Sequence, residues 1–140
     1  MRPTLPSGGS FSRPAAHGAT VLIVSADAVG AALLGVLIET LGYLVQFGRP
    51  PEGAEQGMRR ARPKVCLIDC DPVTCNGALM GRARMRGVTV IIFGTPEALD
   101  RVRALAVEHD IDMLRMPADA SVLEDALKRA VRKGEVTAQE

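Results

Sequence analysis

Asp69 is the residue whose type and position most strongly suggest chemistry. It follows the apolar run 65–68, which predicts a buried strand. A strand buried on both faces has no reason to end in a carboxylate unless that end opens into a polar crevice. In open α/β sheets, ligands collect at the carboxyl ends of the strands. Asp69 is therefore the candidate reactive group, and its chemistry depends on the partners that other elements bring to it.

The loop after Asp69 carries the other candidate groups. Asp71 is interpreted as a turn residue, with a weak metal site shared by Asp69 and Asp71 as the alternative. Cys70 and Cys75 are expected to be free thiols, because their spacing without a nearby histidine is a weak metal signal. A disulfide between them, acting as a redox switch, is the other possibility. No phosphate loop, zinc spacing or Ser-His-Asp set occurs, so we expect no enzyme.

Composition and charge exclude several classes of protein. The chain has 140 residues, 47% hydrophobic and 24% charged, which is typical of one globular domain. A net charge of +1 and few aromatic residues argue against nucleic acid and anionic membranes as partners. Ser25 and Asp27 interrupt the hydrophobic stretch 19–38, which argues against a membrane span. Three cysteines without a signal peptide favour reduced thiols in the cytoplasm.

The elements that must position Asp69 alternate along the chain. Apolar β-branched runs predict strands at 20–24, 43–47, 64–69, 88–93 and 111–114. Helical spacing and capping residues predict helices at 28–41, 51–61, 77–85, about 95–109 and from Asp119 or Ser121 onward. This alternation predicts an α/β fold with a parallel sheet covered on both faces. Residues 1–18 are expected to be a disordered arm, residues 19–132 the folded domain, and residues 133–140 a flexible tail.

The order and spacing of several short segments resemble the receiver domain of two-component response regulators, the CheY-like family. The resemblance covers nearly all of residues 19–132. It rests on Val21-Leu22-Ile23-Val24, Leu41-Gly42-Tyr43, Pro63 to Asp69, Asn76-Gly77 and Met116-Pro117. It implies a flavodoxin-like fold with strand order 2-1-3-4-5. It also implies that Asp69 occupies the phosphoacceptor position and that Pro117 follows a cis peptide bond.

The sequence departs from the family pattern at the positions that support phosphorylation. Ser25 and Ala26 replace the acidic pair that helps to hold Mg²⁺, so a Mg²⁺ site is expected to be weak. Asp27 follows them but is interpreted as the N-cap of helix one. The family has a hydroxyl side chain after strand four, called the switch residue, and Gly94 stands in its place, with Thr95 one residue further on. Met116 replaces the lysine that contacts the phosphoryl group.

Three hypotheses for function follow from the resemblance and these departures. The favoured one is a stand-alone pseudo-receiver in phosphorelay signalling, which acts through protein contacts. The alternatives are a conventional phospho-accepting response regulator and the redox switch. The implied partners are proteins: a histidine kinase, a phosphotransfer protein or a regulator.

Helix one is the first candidate surface for such contacts, because its residues 28–38 include no polar side chain. In the family, this helix is where phosphodonor proteins dock. A homodimer through helix one, or through the face of helix four, strand five and helix five, is also considered.

Overall fold

The computed structural model describes residues 18–69, 72 and 74–139, in which strands and helices alternate. The strands are β1 (Thr20–Val24), β2 (Leu44–Phe47), β3 (Val65–Ile68), β4 (Thr89–Gly94) and β5 (Asp112–Arg115). The helices are α1 (Ala28–Thr40), α2 (Ala54–Ala61), α3 (Gly77–Met85), α4 (Pro96–Glu108) and α5 (Ala120–Gln139). The predicted N-terminal arm, apart from Gly18, lies outside the described residues.

The strands form one parallel sheet in the order β2-β1-β3-β4-β5. In the middle of the sheet, Val21 of β1 pairs with Val45 on one side and with Val65 on the other. Further along, Ile91 of β4 pairs with Leu67 of β3. This order and direction confirm the predicted flavodoxin-like α/β fold. Because all strands run parallel, their carboxyl ends meet at one edge of the sheet, where Asp69 lies.

Helices cover both faces of the sheet, which explains why its central strands are apolar throughout. Helices α1 and α5 pack over Ile23 and Leu67 on one face. Helices α2, α3 and α4 pack over Leu22 and Ile92 on the other. Successive side chains of a strand point to opposite faces, so each central strand contributes to both cores. All residues of β3 are buried, and β3 therefore holds Asp69 on a rigid support.

Several helices begin or end at the capping residues that the sequence predicts. Helix α4 begins after Thr95, whose Oγ1 accepts a hydrogen bond from the amide of Ala98 at 3.2 Å. Pro96 occupies the start of this helix, where its missing N–H costs nothing. After α1, Gly42 has a φ of 102°, the left-handed conformation that favours glycine at a helix end.

Helix α2 begins later than predicted, at Ala54, because Glu52 organises the turn before it. The Glu52 Oε1 atom accepts a hydrogen bond from the amide of Arg49 at 3.0 Å. The other carboxylate oxygen lies 2.7 Å from Nε of Arg60. These contacts lower the pKa of Glu52 to about 2, chiefly through the hydrogen bond from Arg60.

Helix α5 continues past Arg132 to Gln139, where a flexible tail was expected. Lys133 ties this last part of the helix to the turn before β5. Its ammonium donates a hydrogen bond to the carbonyl oxygen of Asp110 and lies 3.4 Å from the Asp110 carboxylate. A contact between residues so far apart in sequence is not visible in the local pattern.

Helix α1 exposes apolar side chains on its outer surface, as its sequence predicts. Val29, Leu33 and Val36 are 71%, 65% and 60% exposed. The inner surface packs closely on the sheet, since a Cβ at Gly35 would lie 2.7 Å from the ring of Phe47. The outer surface is therefore an apolar patch that no described element covers.

Candidate functional site

The candidate site is built from residues that follow the carboxyl ends of neighbouring strands. Ser25 follows β1 and Asp69 follows β3, and these two strands pair directly. Gly94 ends β4, and its carbonyl oxygen accepts a hydrogen bond from the amide of Met116, which follows β5, at 2.8 Å. The sheet therefore brings the predicted site positions to one edge of the molecule.

The carboxylate of Asp69 has a hydroxyl partner. Ser25 Oγ donates to Asp69 Oδ2 at 3.2 Å, although the two residues are 44 positions apart in the sequence. The same hydroxyl oxygen accepts the amide of Asp27 at 3.1 Å, which fixes the serine side chain. Ser25 was recognised in the sequence as a replaced acid but not as a donor to Asp69. The expected strand order, which places β1 beside β3, contained the signal for this contact, but the donor role of Ser25 was not inferred from it.

Asp27 is the N-cap of α1, as interpreted from the sequence. Its Oδ1 accepts the amide of Gly30 at 3.0 Å. The other oxygen lies so close to the first turn that a Cβ at Gly30 would be 2.5 Å from it. The Asp27 carboxylate is thus directed at the positive end of the helix.

The weak Mg²⁺ site expected at this edge stays a prediction. Mg²⁺ takes near-octahedral oxygen ligands and is usually held by one or two carboxylates with bound waters. Residues 18–69, 72 and 74–139 contain no group of three or more His, Cys, Asp or Glu side chains that could hold a metal ion. Asp71, the other predicted ligand, lies outside the described residues, so its role stays a prediction.

Two of the switch positions, Gly94 and Met116, offer no side-chain hydrogen-bond donor to a phosphoryl group. Gly94 has no side chain, and a Cβ there would lie 3.4 Å from Ala98. Thr95 uses its hydroxyl oxygen to cap α4. The thioether of Met116 offers no donor and packs against the core beneath α1 and α5. The bond between Met116 and Pro117 is cis, as the resemblance implied.

One described cysteine, Cys75, differs from the expectation of free thiols. Cys75 is buried and disulfide-bonded, which corrects that expectation for this residue. Cys70 lies outside the described residues. Cys66 is a free cysteine in the core, and burial raises the pKa of its thiol to about 12. Spacing alone could not reveal the disulfide, because the bond depends on backbone geometry rather than on sequence separation.

The three arginines at the end of α3, Arg82, Arg84 and Arg86, face two different surfaces. Arg82 and Arg86 lie 3.6 and 3.7 Å from the carboxylate of Glu55 on α2. Arg59 of α2 binds the same carboxylate at 3.2 Å. Arg84 points elsewhere and lines a cavity at the opposite edge of the sheet. The sequence pattern indicated neither this division nor the cavity.

None of the helices in the described part of the chain is both long enough and apolar enough to cross a membrane.

Comparisons with known proteins identify the fold. No protein-family model matches the sequence, and no curated protein matches it either. Solved structures do match. The signal receiver domain of an HD domain-containing protein from Pseudomonas fluorescens is 20% identical with a TM-score of 0.70, covering 89% of this chain and 94% of its own.

Further solved structures agree. The signal receiver domain of a putative Luxo repressor protein from Vibrio parahaemolyticus is 17% identical with a TM-score of 0.69, covering 87% of this chain and 96% of its own. A response regulator receiver domain protein from Clostridium thermocellum is 20% identical with a TM-score of 0.64, covering 84% and 98%. The chain therefore has the fold of response regulator receiver domains, as the sequence predicted.

Proposed function

We propose, on the premise of the receiver-domain fold, that this chain is a pseudo-receiver of two-component signalling. In this role it acts through protein contacts and does not depend on phosphorylation of Asp69. It is a binding module and not an enzyme. The proposal is supported by the strand order, by the position of Asp69 at the carboxyl edge of the sheet, and by the replacements around it.

The hydrogen bond between Ser25 and Asp69 carries the proposal. Phosphoryl transfer depends on positioning and on neutralising the charge of the phosphoryl oxygens. Here a neutral hydroxyl contacts Asp69 at 3.2 Å. Asp27, the acid nearest to Ser25 in the sequence, uses its carboxylate to cap α1. Met116 supplies no positive charge. The groups that would stabilise the transition state are therefore replaced, whereas the folded support of the site is retained.

Partner proteins would meet the exposed apolar surface of α1. Val29, Leu33 and Val36 share this surface and have no covering element among the described residues. A histidine kinase, a phosphotransfer protein or a regulator with a complementary apolar surface is the kind of partner it suits. A homodimer is the alternative occupant of α1, or of the face formed by α4, β5 and α5, whose charges include the pairs Arg103–Asp100 and Arg129–Asp112.

The proposal is tested by intact mass after incubation with acetyl phosphate and Mg²⁺. The expected result is no gain in mass, for the wild type as well as for the Asp69→Ala control. A gain of one phosphoryl group that is absent from Asp69→Ala would contradict the proposal. That outcome would make the chain a conventional phospho-accepting regulator.

A second candidate function, the redox switch, is favoured by the disulfide at Cys75. Cys75 is 3% exposed and directly precedes Asn76, whose side chain caps α3 by accepting the amide of Leu79 at 3.0 Å. Reduction would free the residue next to this cap. We expect dithiothreitol to expose Cys75 to alkylation and to lower the thermal midpoint of unfolding. A Cys75→Ser variant with an unchanged midpoint and no response to dithiothreitol in the wild type would argue against the switch.

A further inference from the structure

A cavity of about 100 Å³ lies at the amino edge of the sheet, opposite to Asp69. It is enclosed by α3, by the turn between α4 and β5, and by the last part of α5. Thr89, the first residue of β4, and Ile111, which precedes β5, both line it. The cavity therefore shares no residue with the candidate site at the carboxyl edge.

The inner wall of this amino-edge cavity is apolar. Met80, Ala83, Val88 and Val90 line it and are buried. Two glycines of the wall leave room for further atoms. An added Cβ at Gly81 or at Gly87 would meet no other atom within 4 Å, and both glycines belong to the wall. A compact apolar group can therefore enter without displacing protein atoms.

The mouth of the cavity is polar and carries one charge without a partner. Lys133 and Asp110 both line it, but they bind each other at 3.4 Å. The guanidinium of Arg84 has no hydrogen bond or ion pair with any residue in the described part of the chain. Its neighbours in α3, Arg82 and Arg86, are both bound to Glu55. Arg84 is thus the cation available to a ligand at this position.

We propose that the amino-edge cavity binds a small monocarboxylate with a compact apolar body. The body would occupy the apolar wall, and the carboxylate would lie at the mouth against Arg84. A guanidinium matches a carboxylate because it can donate two parallel hydrogen bonds to it. Inorganic phosphate suits the cavity poorly, because a strongly hydrated dianion gains nothing from an apolar wall.

The size of the cavity limits the ligand. An engineered apolar cavity of about 150 Å³ is large enough to hold benzene. The cavity of about 100 Å³ in this protein holds a smaller, branched aliphatic body. Isovalerate has such a body, and its carboxylate can remain at the open mouth.

The probe for this site is isovalerate, measured by isothermal titration calorimetry against the full chain at constant ionic strength. We expect saturable binding with a Kd of about 1 mM, the order that a ligand of this size reaches. Isovaleramide, which has the same shape without the charge, is expected to bind at least about tenfold more weakly, because it lacks the charge-assisted hydrogen bonds to Arg84.

Matched variants locate the binding. Arg84→Ala is expected to weaken isovalerate binding about tenfold, whereas Arg82→Ala, on the same helix but facing Glu55, is expected to leave it unchanged. Gly81→Leu fills the cavity and is expected to abolish binding. If Gly81→Leu does not fold, the two arginine variants still decide the question.

Three results would overturn the proposal. One is the absence of saturable binding to the wild type. Another is an equal loss of affinity in Arg84→Ala and Arg82→Ala, which would indicate a general effect of surface charge. The third is equal affinity for isovalerate and isovaleramide, which would show that no cation recognises the carboxylate.

Discussion

At the carboxyl edge of the sheet, the polar side chains around Asp69 bind one another or the backbone. Ser25 binds Asp69, Asp27 caps α1 and Thr95 caps α4. At the amino edge, Arg84 lies beside an open cavity and has no ionic partner among the described residues. The described polar side chains beside Asp69 are therefore engaged in internal contacts, whereas the opposite edge has both space and an unpaired charge among the described residues.

This difference shows that a fold does not determine which of its surfaces remains available for binding. The parallel sheet brings strand ends together at both edges. Which edge can bind a ligand depends on whether its polar groups already have partners. At the carboxyl edge, small replacements such as serine for an acid satisfy the remaining groups locally. At the amino edge, glycines leave space that no side chain fills.

Restoring charge at the carboxyl edge is the change with the largest expected effect. We expect the combined variant Ser25→Asp, Ala26→Asp, Met116→Lys to gain Mg²⁺-dependent phosphorylation from acetyl phosphate, at a rate at least about 100-fold above the wild type. Single electrostatic groups contribute factors of this order to transition-state stabilisation. The gain is measured by intact mass over time.

The control for this restoration is the same combined variant with Asp69→Ala, which should remain unmodified. If the combined variant folds, as judged by circular dichroism, and still takes up no phosphoryl group, that result would contradict our explanation of why the carboxyl edge is inactive. It would mean that the missing charges are not what separates this edge from an active one.

A pair of glycine variants compares the packing of the two edges. Gly81→Ala should raise the free energy of unfolding by about 1 kcal/mol, because alanine favours a helix and the added Cβ meets no atom within 4 Å. Gly30→Ala should gain little or nothing, because its Cβ would lie 2.5 Å from the capping carboxylate of Asp27. Loss of that cap costs about 1 kcal/mol.

Urea denaturation of both glycine variants and of the wild type checks this prediction. Equal stabilisation by the two substitutions would show that the Asp27 cap yields without cost. The carboxyl edge would then be less tightly constrained than its contacts indicate.

The smallest expected effect concerns Glu52, whose charge is also engaged near the carboxyl edge. Its pKa in the folded protein is about 2, below the ordinary value of 4.5. A lowered pKa means that ionised Glu52 stabilises the fold above pH 4.5, and that this contribution is lost as the pH falls from 4.5 to about 2. Glu52→Gln should therefore flatten the dependence of the unfolding free energy on pH in that range.

The matched variant for Glu52→Gln is Arg60→Gln, which keeps the carboxylate and removes its main hydrogen-bond donor. It should flatten the same slope, because the lowered pKa of Glu52 depends chiefly on the hydrogen bond from Arg60. An identical slope for Glu52→Gln and the wild type would show that the contacts with Arg60 and Arg49 do not persist in solution.

The elements of the fold could be predicted because their signals are local. The cap at Thr95 and Pro96, the turn at Gly42 and the apolar run before Asp69 each lie within a few residues of the feature they specify. The start of α2 and the end of α5 were less well predicted. Both depend on contacts with residues further along the chain, through Glu52 in one case and Lys133 in the other.

The candidate site was predicted as a set of positions but not as a set of contacts. The resemblance to receiver domains identified Ser25, Gly94, Thr95 and Met116 as the relevant positions. It did not show that Ser25 donates to Asp69. That hydrogen bond requires two strands to lie side by side, although the residues are 44 positions apart.

The sequence by itself determined the alternation of strands and helices, the placement of Asp69 after a buried strand, and the apolar character of α1. These features follow from the periodicity of side chains along one segment. Only the tertiary structure decided that Arg84 and Arg82 serve different surfaces, and that a cavity opens at the amino edge. Cavities and ion pairs arise where separate elements pack together, and their geometry depends on side chains far apart in the chain.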